Sequence, residues 1–254
     1  LIELVSVTKK FGSFTALSNL NLTVPKGGLY SFLGPNGAGK TTTIKILTGI
    51  LHPDSGDALI DGISIIKNPV EAKKKIGYLP DIPSLFEKLT GAEYLNFIMD
   101  IYGIPKSERE SRTKKYLQAF ELEPNVNSLI ETYSLGMKKK IGIIAALCHA
   151  PSFILLDEPT SGLDPQSVRL FKDILKEQAA AGATIFFSTH ILEIAEKICD
   201  RVAIISKGRI VAEGTVAGIR SKIDDTNADT KTLEDIFIEL TAANGDSKEI
   251  IKAI

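Results

Sequence analysis

The chain has 254 residues, 30 Lys and Arg against 31 Asp and Glu, a formal net charge of -1 and 44% hydrophobic residues. At roughly 150 residues per domain this allows one large or two small domains with a sizeable core, so peptide-sized and disulfide-stapled scaffolds are excluded. Balanced charge supplies no global field toward nucleic acid or an anionic membrane. Cys148 and Cys199 form no C-x-x-C pair and have no partner histidine at metal-ligand spacing, which fits a reducing compartment. The most apolar stretches, Ile141 to Cys148 and Val202 to Ile205, fall short of the roughly 18 apolar residues that cross a bilayer. The first segment, 1–7, carries Glu3 and is too short for a secretory signal, and a start at Leu rather than Met points to a trimmed N-terminus.

Short apolar runs alternate with longer amphipathic stretches, the pattern of an α/β fold. The run Leu29 to Leu33 predicts a strand buried on both faces of a mostly parallel sheet. Residues 34–41, Gly-Pro-Asn-Gly-Ala-Gly-Lys-Thr, fit G-x-x-x-x-G-K-[ST] between that strand and a helix through Leu47. In such a loop the backbone of Gly34, Asn36, Gly37, Ala38 and Gly39 wraps a phosphate chain. The helix start at Lys40, Thr41 and Thr42 adds positive potential. Lys40 is placed to reach the β- and γ-phosphates of a nucleoside triphosphate, and Thr41 to ligate Mg2+.

From Pro83 to Asn127 the texture becomes helical. Thr90-Gly91-Ala92-Glu93 forms a capping box ahead of an apolar face of Tyr94, Phe97, Ile98 and Ile101, and Pro105 opens a charged helix to about Phe120. The lysine runs 73–75 and 138–140 read as solvated helix faces. Phe153 to Glu158 reads as a buried strand beside the phosphate loop, ending in two acids. Asp157 would enter the magnesium shell and Glu158 would face the γ-phosphate, where a carboxylate polarises attacking water. Asp164 before Pro165 predicts a helix start and Gly182 its end, and Thr184 to Ser188 predicts another buried strand. The tail 221–229 is polar, after which Leu233, Ile236, Phe237 and Leu240 share one helical face.

Three further segments narrow the reading: Tyr133-Ser134-Leu135-Gly136-Met137 before an apolar helix, Ser161-Gly162-Leu163-Asp164, and Ser188-Thr189-His190. In register with the phosphate loop and the acidic pair, they resemble the ATP-binding cassette (ABC) family over almost the whole chain. With the tail Thr232 to Leu240, they resemble the single-cassette subunits of bacterial ABC-2 type exporters. The resemblance implies a P-loop NTPase core with an N-terminal antiparallel β portion and a helical insertion near 83–147. Residues 1–220 would form the ATPase domain and 221–254 a small C-terminal extension.

It further implies ATP and Mg2+ as cofactors, and hydrolysis to ADP and phosphate that drives closure of a homodimer or paired cassette. Each ATP would lie between the phosphate loop of one cassette and the signature of the other, with Ser134 and Gly136 as a second anion site. His190 would sense the γ-phosphate, although a histidine at a strand end, read alone, is more often structural. Asp164 would link the two sites, a role that competes with helix capping. Phe11 would stack on adenine, with Phe14 as a rival.

Asp81 stands where most members carry the Gln that joins the magnesium site to the insertion; it takes that place in the metal set with a shorter, charged side chain. Leu135 and Met137 replace a Gly and a Gln of the signature. The implied partner is an integral-membrane permease docked near Asp81 to Phe86, chiefly through Leu85 and Phe86. The chain would then be peripheral on the cytoplasmic face of the cell membrane, with no nucleic-acid partner. The rival reading is a non-transport, ATP-dependent switch regulating a soluble partner; an intact Glu158 and His190 favour turnover.

Overall fold

The computed structural model describes residues 1–220 together with Glu234, Asp235, Phe237 and Ile238. The chain opens with two antiparallel strands, β1 (Ile2–Phe11) and β2 (Phe14–Val24), and then enters β3 (Gly28–Leu33). Helix α1 (Lys40–Leu47) follows the phosphate loop, and β4 (Ser55–Ile60) and β5 (Ile63–Ser64) return to the first sheet, whose order is β2-β1-β4-β5. The antiparallel β portion is therefore present.

A short α2 (Pro69–Lys73) leads to β6 (Ile76–Leu79) and then to the helical segment: α3 (Gly91–Ile101), α4 (Lys106–Ala119) and α5 (Leu135–Leu147). The capping box forms as expected. Thr90 accepts from the Glu93 N–H at 3.1 Å, while the Glu93 carboxylate accepts from the Thr90 N–H at 2.8 Å. The chain then alternates strand and helix through β7 (Phe153–Asp157), α6 (Pro165–Ala180), β8 (Thr184–Thr189) and α7 (Leu192–Ile198). It closes with β9 (Arg201–Ser206), β10 (Arg209–Gly214) and α8 (Val216–Arg220).

The second sheet runs β10-β9-β3-β8-β7-β6, parallel throughout except for the β9–β10 hairpin. The strand Phe153–Asp157 ends beside the phosphate loop as expected, with Glu158 Oε1 3.7 Å from the Lys40 ammonium, although β8 lies between it and β3 in the sheet. Parallel neighbours are joined by long crossovers, so their order is set by how α6 and the helical segment cover the sheet.

The central strands bury side chains on both faces. Ile154, Leu156, Ile185 and Phe187 enter a core shared with α3 and α5, while Phe153, Leu155 and Phe186 enter the opposite core with β1, β2 and α1. Each such side chain, fully buried, contributes about 1.5–3 kcal/mol. On the α5 side the approach is so close that a Cβ on Gly77 of β6 would overlap the Ala146 carbonyl. Phe237 is buried with Ala195, Val202, Ile204 and Ile219; the tail residues Leu233, Ile236 and Leu240 lie outside the described residues.

Candidate functional site

The parallel register brings three strand ends to one edge of the sheet: Leu33 pairs with Thr189, and Asp157 pairs with Ser188. The loops that leave β3, β7 and β8 therefore share the carboxyl edge where open α/β sheets bind ligands. The 34–39 loop turns back at Ala38, whose N–H donates to the Pro35 carbonyl at 3.2 Å. It delivers α1 through Gly39, whose φ of 110° is open to glycine and strained for other residues.

Lys40 is buried. Its ammonium donates to the carbonyls of Gly34 at 2.6 Å and Pro35 at 3.2 Å, and lies 3.7 Å from Glu158 Oε1. Burial lowers the Lys40 pKa, and the carboxylates of Glu158 and Asp157 oppose that shift.

Asp157 is buried at the end of β7, and its Oδ1 accepts from Ser188 Oγ at 2.6 Å. The same hydroxyl oxygen accepts the Glu158 N–H at 3.1 Å. Glu158 has a φ of 43°, left-handed backbone that a non-glycine residue adopts only when its surroundings hold it there. Its Oε2 lies 2.9 Å from Nδ1 of the exposed His190. One carboxylate thus spans the ammonium of the phosphate loop and the imidazole beyond β8.

Two concavities flank these groups. The smaller, about 270 Å3, is lined by the phosphate loop with Thr42, Phe11, Phe14, Asp81 and Glu158. The larger, about 680 Å3, runs from Thr41, Asp157 and Asp81 under the helical segment to Leu85 and Ile98. Thr41 and Asp81 belong to both. Phe11 and Phe14 face each other across the β1–β2 turn and are both exposed, so neither is a core aromatic and both remain at the rim.

Among the described residues, no three His, Cys, Asp or Glu side chains form a metal cage. Mg2+ needs less: one or two carboxylates completed by hydroxyl, phosphate and water oxygens. The hard oxygen donors of Thr41, Asp157 and Asp81 around one cleft fit that requirement.

Residues 17–161 match the ABC transporter family. The chain belongs to that family. It is 36% identical over 223 residues to the linearmycin resistance ATP-binding protein LnrL of Bacillus subtilis, covering 88% of this chain and 72% of LnrL. It is 33% identical over 240 residues to the probable multidrug ABC transporter ATP-binding protein YbhF of Escherichia coli, covering 94% of this chain but only 41% of YbhF. A solved ATP-binding subunit of an ABC transporter superposes with a TM-score of 0.89 at 34% identity, covering 95% of this chain and 99% of that one. The cassette MJ0796, in a dimeric post-hydrolysis state bound to ADP and Pi, superposes at 0.77 with 29% identity, covering 85% of this chain and 98% of that one. The core is a P-loop ABC ATPase fold, and it is built to bind ATP.

The signature of this ABC protein lies apart from the phosphate loop. Ser134 caps α5, its Oγ accepting from the Met137 N–H at 3.2 Å; Ser134 and Gly136 line neither concavity, and Leu135 is 64% exposed. Gly136 lies against the Gly162 carbonyl of the following loop. Asp164 performs the capping role, accepting from the Ser167 N–H at 2.8 Å and from Ser167 Oγ at 2.6 Å; these bonds hold its carboxyl at about 2. Its side chain is also exposed and 3.5 Å from Lys140.

The lysine run 138–140 requires correction. Lys138 pairs with Glu87 and Lys140 approaches Asp164, but Lys139 is 2% exposed and donates to three carbonyls. The helical spacing carried that signal: 139, 142, 143 and 146 fall on the face of α5 that carries Gly142, Ile143 and Ala146 into the core. Ser188 belongs to the Ser188-Thr189-His190 segment, yet its role in fixing Asp157 and Glu158 follows only from the β7–β8 register.

Proposed function

We propose that this chain binds ATP with Mg2+ and hydrolyses it to ADP and phosphate as the energising subunit of a membrane exporter. The observation that carries the reading is the convergence on Glu158, whose carboxylate lies between Lys40 at 3.7 Å and His190 at 2.9 Å at one sheet edge. In this reading the N–H groups of residues 34–42 and the Lys40 ammonium bind the β- and γ-phosphates and offset the charge that builds up during transfer. Lys40 would exchange its neutral carbonyl acceptors for anionic phosphate oxygens, making both sides of the bond charged. Glu158 accepts a proton from the attacking water. His190 gives Nδ1 to Glu158, orienting the carboxylate and leaving Nε2 for the γ-phosphate. Thr41, Asp157 and Asp81 would hold Mg2+, which supplies Lewis-acid neutralisation of the phosphate charge when bound. Phe11, or its neighbour Phe14, offers the adenine a π-face.

Two copies, or this chain and a second cassette, would close over the nucleotides, each phosphate loop facing the Ser134–Gly136 signature of the other, with Asp164 at the junction. The exposure of Ser134 and Leu135 and the dimeric state described for MJ0796 support this. Residues 1–220 would be the cassette and 221–254 an extension of it.

Among the described residues no helix is long and apolar enough to cross a membrane. The link to the bilayer would therefore run through an integral-membrane permease, with this chain peripheral on its cytoplasmic side. Leu85 and Phe86 offer the docking surface: they line a shallow concavity with Leu89 and Phe97, and Phe86 meets Phe97 edge-on with ring centroids 5.2 Å apart. Relatives named for antibiotic resistance and multidrug transport support export. The test is phosphate release by the purified chain that requires both ATP and Mg2+; ATP binding without any such release would defeat the enzymatic part of the reading.

A further inference from the structure

We infer that Lys139 is a positioning residue for hydrolysis, holding the Glu158 peptide in its left-handed conformation and tying it to Asp81 and to the signature helix. The ammonium leaves α5 and enters the interior. There it donates to the carbonyls of Asp81 at 2.6 Å, Glu158 at 3.1 Å and Pro80 at 3.3 Å, and lies 3.9 Å from the Asp81 carboxylate. Three donors thus meet three acceptors on two loops, one after β6 and one after β7. Burying an ammonium is costly unless it is fully hydrogen-bonded, so a purely structural helix would be better served by an apolar residue here.

The bond to Glu158 falls on a backbone that needs help. Its φ of 43° is unfavourable for a β-carbon-bearing residue, and its peptide groups are held from two sides: Ser188 Oγ accepts the N–H and Lys139 supplies a donor to the C=O. Together these fix where the carboxylate points. The bond to Asp81 adds a direct mechanical connection between the cleft shared by Thr41 and Asp157 and the start of α5. Burial lowers the Lys139 pKa, and the nearby carboxylates of Asp81, Asp157 and Glu158 oppose that fall.

This inference rests on Glu158 being the residue that activates water, and the experiment separates the two ideas. Lys139→Met keeps the length and bulk of the side chain while removing every donor. In the full chain, with ATP and Mg2+, kcat should fall about 10- to 100-fold, as a displaced catalytic group does, with the Kd for ATP held within about twofold. Thermal unfolding is measured alongside, and Lys139→Gln, which retains an N–H donor, should fall between wild type and Met. Should Lys139→Met not fold, the Gln variant carries the same comparison of kcat with Kd. A folded Met variant with wild-type kcat overturns the inference, as does a loss confined to ATP affinity. Glu158→Gln is assayed in parallel. If it retains wild-type turnover, the reading of Glu158 itself fails; if it is inactive while Lys139→Met is unaffected, only the inference about Lys139 fails.

Discussion

The edge of the parallel sheet and the start of α5 handle the same chemistry in opposite ways. At the sheet edge every charged group is engaged within the chain: Lys40 with two carbonyls, Asp157 with Ser188, Glu158 with His190. At α5 the signature is anchored by the buried Tyr133, Ser134 does no more than cap its own helix, and Leu135 stands exposed. The first region is preorganised by neighbours far apart in sequence; the second is a local structure with a free face. One chain thus carries a completed half-site and an outward-facing one, the arrangement expected if the two halves meet only between cassettes.

The sharpest break in that contrast is Glu158→Gln. Removing the base should lower turnover by about 100- to 10,000-fold while ATP still binds. The stalled protein should accumulate as a dimer by light scattering, and Ser134→Arg in the same chain should return it to monomer. A Glu158→Gln protein that stays monomeric at saturating ATP would count against pairing of the two half-sites.

Lys40→Ala tests the sheet edge alone. Turnover should drop about 100- to 1,000-fold with weaker ATP binding by calorimetry and an unchanged circular dichroism spectrum. Replacing both Leu85 and Phe86 with Asp tests the opposite side of the helical segment. The double variant should leave the membrane fraction of cells that co-express the proposed permease partner, with ATP turnover in solution within about twofold of wild type.

The smallest effect concerns Asp164. Its carboxyl is held at about 2, below its ordinary value of 3.8, so its contribution to stability is present above about pH 4 and is lost as pH falls toward 2. Asp164→Ala should lower Tm modestly at pH 7, with the gap narrowing below about pH 4. A gap that does not change with pH would assign the loss to something other than the charged cap.

What the sequence discloses follows the range of each interaction. The phosphate loop, the Thr90–Glu93 box and the Asp164 cap are written within a few residues, and each forms where its pattern places it. The apolar strands are equally legible, because burial on both faces leaves no polar alternation. Their order is not: β8 separates β3 from β7 through crossovers that no local pattern encodes. Lys139 was obscured for a different reason. Its neighbours Lys138 and Lys140 do lie toward solvent-side partners, and composition averages over the helical phase that turns the middle lysine inward.

The contact between Gly77 and the Ala146 carbonyl has a mechanical consequence. Here main chain bears on main chain, and neither has a torsion free to yield without disturbing a hydrogen-bonded ladder. The joint between α5 and β6 is therefore stiff, with little slack. The end of α5 and Asp81, two residues beyond the end of β6, are thus joined through a contact that leaves no room for a side chain.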